Sequence, residues 1–141
     1  MEAPLLDTHA WIWWIQADDR LGRKTIEALD ALPADARPFL SDISLWEVAM
    51  LVSLSRIELA EPLDTWLDAA ADGRTVRVLP VTPAIAVKVA RLPATFQRDP
   101  ADRLIVATCR ALGHSLVTRD RAITRARLVR RWSPEVPHRS I

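Results

Sequence analysis

Glycine is scarce in this chain of 141 residues, cysteine is nearly absent and tyrosine is missing altogether. The three glycines, Gly22, Gly73 and Gly113, stand far apart. That spacing excludes a G-x-G-x-x-G fingerprint and a P-loop, and with them a nucleotide cofactor held by such a loop. The single cysteine, Cys109, allows no internal disulfide and no CxxC-type zinc site. It lies in an apolar run, where a small core residue is the expected role rather than a nucleophile. With no tyrosine and two phenylalanines, the chain cannot supply the aromatic strands of an RRM. No G-x-S-x-G elbow is present for a serine nucleophile. The apolar run at residues 10–15 is too short to span a bilayer and lacks the basic flank of a secretion signal. The expected location is therefore the cytoplasm, without membrane association.

Half of the residues are hydrophobic and about a quarter are charged, enough for one domain with its own core and too few for two. Residues 1–141 are accordingly read as a single domain. The formal net charge of +1 conceals an asymmetry. Residues 1–118 carry 12 Lys and Arg against 16 Asp and Glu, whereas residues 119–141 carry seven Arg against Asp120 and Glu135. Such a basic segment is either a solvated face or a contact for a polyanion, because each phosphate neutralised releases counterions.

Strand-like and helical stretches alternate along the chain. Residues 3–6 read as a short buried strand and residues 8–17 as a helix that is apolar on every side. Residues 20–32 carry an amphipathic pattern built on Leu21, Ile26, Leu29 and Leu32, and a breaker-rich loop follows at 33–38. Phe39 and Leu40 start a second strand. Ser44-Leu45-Trp46-Glu47 has the spacing of a capping box, predicting a helix that runs on to Ile57. Pro62 at N1 predicts a further helix closing near Gly73. A third strand is expected over 76–81. Thr82-Pro83 and Asp99-Pro100 each pair an N-cap with Pro at N1; the first helix should end before Pro93 and the second at Leu112, with Gly113 beyond it. Residues 115–118 read as a fourth strand and 128–132 as a fifth. Apolar strands separated by helices predict an α/β domain around a mainly parallel sheet, where ligands collect at the carboxyl ends of the strands.

Acidic residues occupy those ends. Asp7 follows the first strand, Asp120 the fourth, and Glu47 lies in the first turn after the second. Asp99 and Asp102 share the first turn of the helix that precedes the fourth strand. Carboxylates gathered at one sheet edge repel one another, and Mg²⁺ or Mn²⁺ is the compensating cation that suits oxygen donors. Each acid also has a structural role open to it. Glu47 can close the capping box with Ser44, Asp99 can cap its helix, Asp102 can answer the helix dipole, and Asp120 can be an ordinary turn residue. Asp7 is harder to place structurally, since an unpaired carboxylate at the end of a buried strand is costly. His9, His114 and His138 are scattered, and zinc is not expected.

Four blocks carry a family resemblance: Leu5-Leu6-Asp7-Thr8-His9-Ala10, Ser44-Leu45-Trp46-Glu47-Val48-Ala49, Asp99-Pro100-Ala101-Asp102-Arg103-Leu104-Ile105-Val106-Ala107, and Leu116-Val117-Thr118-Arg119-Asp120. In this order they resemble the successive signatures of PIN-domain proteins, above all the VapC toxins of bacterial VapBC toxin–antitoxin pairs. The resemblance runs from residue 5 to about 132. It implies a three-layer α/β/α fold and a Mg²⁺- or Mn²⁺-dependent endoribonuclease. The family's acidic quartet falls on Asp7, Glu47, Asp102 and Asp120, with Asp7 and Asp102 the first-choice metal ligands. Asp99 is an additional acid of the D-P-x-D-R form of the third block. Ala101 stands where a bulky aromatic is frequent. The resemblance further implies an RNA substrate, a homodimer and a small antitoxin that blocks the site.

Arg103, Arg119 and Arg121 are candidate phosphate contacts. Two other readings of the same residues are a non-catalytic protein- or RNA-binding module whose acids are helix caps, and a metal-dependent DNA nuclease or phosphatase. Metal binding is expected to weaken below roughly pH 5 as carboxylates protonate. Finally, Trp11, Trp13 and Trp14 crowd one helix, so tryptophan surface is expected outside the monomer core, at a subunit contact.

Overall fold

A computed structural model describes residues 3–134; residues 1–2 and 135–141, which include Glu135, His138 and Arg139, lie outside the described residues. Four short strands, β1 (Leu5–Leu6), β2 (Phe39–Ser41), β3 (Arg77–Leu79) and β4 (Leu116–Val117), form one parallel sheet in the order β3-β2-β1-β4. In register, Leu5 sits between Phe39 and Leu116, and Leu6 between Leu40 and Val117. Side chains alternate across a strand, so neighbouring residues feed opposite cores. Leu5 and Leu116 enter one core, while Leu6, Leu40 and Val117 enter the other. The latter is completed by α1 (Thr8–Ile15), α2 (Arg23–Asp30), α3 (Ile43–Ser53) and α4 (Leu63–Ala70). The former is completed by α5 (Pro83–Ala90), α6 (Pro100–Leu112) and α7 (Arg121–Ala126). The predicted three-layer α/β/α domain with a parallel sheet is what the chain forms.

The helix apolar on every side is α1, and it is less exposed than its pattern implied. Trp11 is fully buried: its Nε1–H donates to the Ala70 carbonyl at 2.9 Å, and its ring meets Trp66 edge-on at 4.9 Å between centroids. Trp13 and Trp14 are half-buried against the same core. The tryptophan that faces solvent is Trp46 on α3, 51% exposed.

Several boundaries differ from the sequence reading, each for a local reason. The 20–32 pattern splits into a 3-10 turn (Asp19–Leu21) and α2, because Gly22 takes a φ of +98° between them. Helix α3 starts at Ile43, one residue before Ser44, and the Ser44 hydroxyl is taken by Thr8 at 2.8 Å. The capping box between Ser44 and Glu47 therefore does not form. This helix stops at Ser53, short of Ile57, and Ser55 just beyond it has a φ of +56°. Pro62 is the N-cap of α4 rather than its first residue. The fifth strand is reduced to one parallel bridge between Leu116 and Arg131. There the Leu116 N–H donates to Arg130 and the Trp132 N–H donates to Leu116, at 2.9 and 2.8 Å. Among the described residues, no helix is long and apolar enough to cross a membrane.

Candidate active site

The parallel order puts β1 and β4 side by side, so the residues after them meet at one sheet edge. The Asp7 N–H donates to the Val117 carbonyl at 3.1 Å, extending the β1–β4 ladder by one step. Asp7 then N-caps α1, its Oδ1 accepting from the Ala10 N–H at 2.8 Å. Asp120 N-caps α7, accepting from the Ala122 and Ile123 N–H groups at 2.8 and 3.2 Å, while its own N–H donates to Thr118 Oγ1 at 3.0 Å. Asp99 caps α6 by accepting from the Asp102 N–H at 3.1 Å. Asp102, in that first turn, accepts from Gln97 Nε2 at 2.7 Å. Glu47 lies on the buried side of α3. Cap and site are thus combined in Asp7, Asp99 and Asp120, whereas Glu47 and Asp102 cap nothing.

The five acids share one electrostatic field. Burial pushes the Asp102 carboxyl up to about 8, and the charges of Asp99, Glu47, Asp120 and Asp7 all push the same way. Burial likewise raises Asp7 to about 6, against the opposing hydrogen bonds of the Thr118 hydroxyl and the Ala10 N–H. Glu47 is raised by burial and, more weakly, by Asp99; the Thr8 hydroxyl and His9 oppose the shift. Glu47 Oε1 is buried without a hydrogen-bond partner. Such a polar atom carries an uncompensated desolvation cost.

Among the described residues, no three Asp, Glu, His or Cys side chains are already gathered in ligating positions. The donor set nevertheless fits a hard divalent ion: it is all carboxylate, it includes an orphaned oxygen, and its members hold one another's carboxyls up by repulsion.

The arginines divide. Arg103 turns inward, its guanidinium donating to the carbonyls of Phe96, Gln97 and Val89 at 3.3–3.4 Å, which ties α5 and the following loop to α6. Arg119 and Arg121 flank Asp120 and are exposed. Cys109 is buried in the core, and burial pushes its thiol up to about 12, so it is not a nucleophile at neutral pH.

Four residues near the acids were not singled out from the sequence: Thr8, Ser44, Gln97 and Thr118. Each is a neutral hydrogen-bonding group that orients an acid or its helix, and their types carry no signal without the fold. His9 had a signal in its place two residues after Asp7. It is exposed, its ring leans on Trp13 at 5.6 Å, and its field favours the ionised forms of Asp7 and Glu47.

Comparison with known proteins agrees with this architecture. The family profile described as PIN domain matches residues 5–128. Ribonuclease VapC22 of Mycobacterium tuberculosis is 38% identical over 123 residues, which cover 87% of this chain and 91% of that protein. Among solved structures, a toxin–antitoxin complex from Klebsiella pneumoniae superposes with a TM-score of 0.65 at 20% identity, covering 94% of this chain and 98% of the other. FitAcB from Neisseria gonorrhoeae superposes with a TM-score of 0.64 at 23% identity, covering 92% and 96%. These two likenesses concern the fold.

Proposed function

The chain belongs to the PIN-domain family, and on that premise we propose that it is an endoribonuclease dependent on Mg²⁺ or Mn²⁺, the toxin of a toxin–antitoxin pair. The observation that carries the chemistry is the meeting of Asp7, Glu47, Asp102 and Asp120 at one sheet edge, each close enough to act on the Asp102 carboxyl. A ribonuclease among the relatives supports RNA as the substrate, and toxin–antitoxin complexes among the structural neighbours support a small antitoxin as the protein partner. A homodimer and a cytoplasmic location complete the reading.

Asp7 and Asp102 would hold the ion, with Glu47 and Asp120 completing its surroundings directly or through water and Asp99 at the margin. When bound, the ion supplies Lewis acidity and countercharge for a phosphodiester. The chain's own residues do the rest. Glu47 Oε1, buried and unpartnered, is placed to orient a water and accept its proton as the water oxygen attacks phosphorus and the ester P–O bond breaks. The Thr118 hydroxyl and the Ala10 N–H fix the Asp7 carboxylate, and Gln97 fixes that of Asp102. Arg119 and Arg121 receive flanking phosphates.

A binding module without catalysis is the second reading, and the capping roles of Asp7, Asp99 and Asp120 favour it. Glu47 and Asp102 tell against it, because two buried acids that cap nothing are a cost without a return. Mn²⁺ titration, combined with cleavage assays on single-stranded RNA, DNA and a small phosphate ester, separates the readings. Specific Mn²⁺ binding with RNA cleavage supports the endoribonuclease. Absence of both supports the module, and preference for DNA or the ester supports the other phosphoesterases.

A further inference from the structure

A cavity of about 430 Å³ shares Thr118 and Arg119 with the acidic site. One wall is the first turn of α2 with Gly22. The other is the segment 131–134, held beside β4 by the bridge between Leu116 and Arg131. The floor is apolar, made by the buried side chains of Leu21, Val117 and Trp132. The rim is cationic: Arg23, Lys24, Arg119 and Arg131 are all exposed, and no acidic residue lines the cavity. Arg23 meets Asp19 at 3.6 Å, but both ends are exposed, so water and salt screen that pair and a phosphate can displace it.

We propose that this cavity is a nucleotide subsite, which takes one nucleotide of the single-stranded RNA next to the phosphate that is cut. The inference rests on the ribonuclease reading above and adds to it a second, specificity-determining pocket. Three features select this occupant. The volume falls in the range of ligand pockets and exceeds what a lone phosphate needs. The apolar floor suits a base face, and the cationic rim suits the phosphates on either side of it. Thr118 connects the two sites physically, since its hydroxyl holds Asp7 on the catalytic side while the residue itself lines the cavity.

The test uses the purified full chain, free of antitoxin, and a short fluorescent single-stranded RNA. Binding is measured in the inactive Asp7→Asn background and cleavage in the active one. Replacing Arg23 and Arg131 together by Gln should raise KM roughly tenfold, leave kcat at saturating RNA in place, and lower the slope of log affinity against log salt by about 2, one per lost phosphate contact. Filling the cavity with Thr25→Trp should keep that slope but erase the nucleotide preference at one position beside the cut in a randomised RNA pool. An unchanged KM and salt slope in the double variant would overturn the subsite and leave the ribonuclease standing. Unchanged RNA binding with loss of affinity for an acidic antitoxin peptide would also overturn it, in favour of a protein contact. An unmodified chain that neither binds nor cuts RNA would remove the subsite together with the reading it rests on.

Discussion

The hydroxyls of Thr8 and Ser44 lie 2.8 Å apart in the interior and join the first turn of α1 to that of α3. Asp7 precedes the first of these residues and Glu47 lies one turn after the second, so this bond sets the spacing of two acids far apart in sequence. Ser44→Ala leaves the buried Thr8 hydroxyl without that partner and should cost about 1–3 kcal/mol of stability. Combining it with Thr8→Val should cost less than the sum of the single changes. Double-mutant thermal unfolding checks this; strict additivity would show that the bond does not couple the helices.

The raised carboxyls give the metal-free protein a definite pH dependence. Asp102 titrates at about 8 and Asp7 at about 6 in the fold, against an ordinary value of 3.8. Between those values the folded chain holds protons that the unfolded chain has released. The stability they confer is complete below about pH 4 and is lost as pH rises through 6 and then 8. In chelator, the melting temperature should therefore fall from about pH 5 to pH 9, and Asp102→Asn should flatten the upper part of that fall. A melting temperature that climbs over this range would contradict the electrostatics. The same shifts move proton competition for the metal well above the pH 5 that ordinary carboxylates imply, so Mn²⁺ affinity should still be rising between about pH 6 and 8.

Asp99 separates capping from catalysis. Its Oδ1 accepts from the Asp102 N–H, a bond that Asn can replace, so Asp99→Asn should keep the melting temperature, while Asp99→Ala should lose about 1 kcal/mol. Cleavage by Asp99→Asn should fall much less than cleavage by Asp102→Asn. Equal losses would place Asp99 among the residues that hold the ion directly.

Much of this arrangement was legible in the sequence because it is written in local chemistry. Asp99-Pro100 and Thr82-Pro83 mark helix starts by capping and by proline's fixed φ, and Gly113 marks a helix end by its left-handed backbone. The sheet was legible in the short apolar strands, and the four acids in their common place after them. What stayed hidden depends on distant partners. The Ser44–Glu47 spacing mimics a capping box, but the Ser44 hydroxyl is claimed by Thr8 from another helix. Arg103 looks like a phosphate ligand until the fold places three backbone carbonyls around it. Residues 128–132 look like a strand, yet only Arg131 meets β4.

The tryptophans should behave oppositely. Trp11 is fully buried and hydrogen-bonded to Ala70, so Trp11→Ala should cost about 3–5 kcal/mol, read as loss of the cooperative melt. Trp46 is half in solvent, and Trp46→Glu should change stability by no more than about 0.5 kcal/mol. If the proposed homodimer covers Trp46, this variant should sediment as a monomer where the unmodified chain sediments as a dimer. An unmodified chain that is monomeric at micromolar concentration would refute the dimer.

Cleavage of single-stranded RNA by the antitoxin-free chain, in EDTA and after adding back Mg²⁺ or Mn²⁺, tests the central claim most directly when Asp102→Asn is run beside it. The acids at the sheet edge predict no cleavage in EDTA, full recovery with either ion and no need for Zn²⁺. They also predict a loss of roughly a hundredfold or more in a folded Asp102→Asn protein under every condition. RNA cleavage that persists in EDTA, or that Asp102→Asn leaves at the level of the unmodified chain, would contradict it.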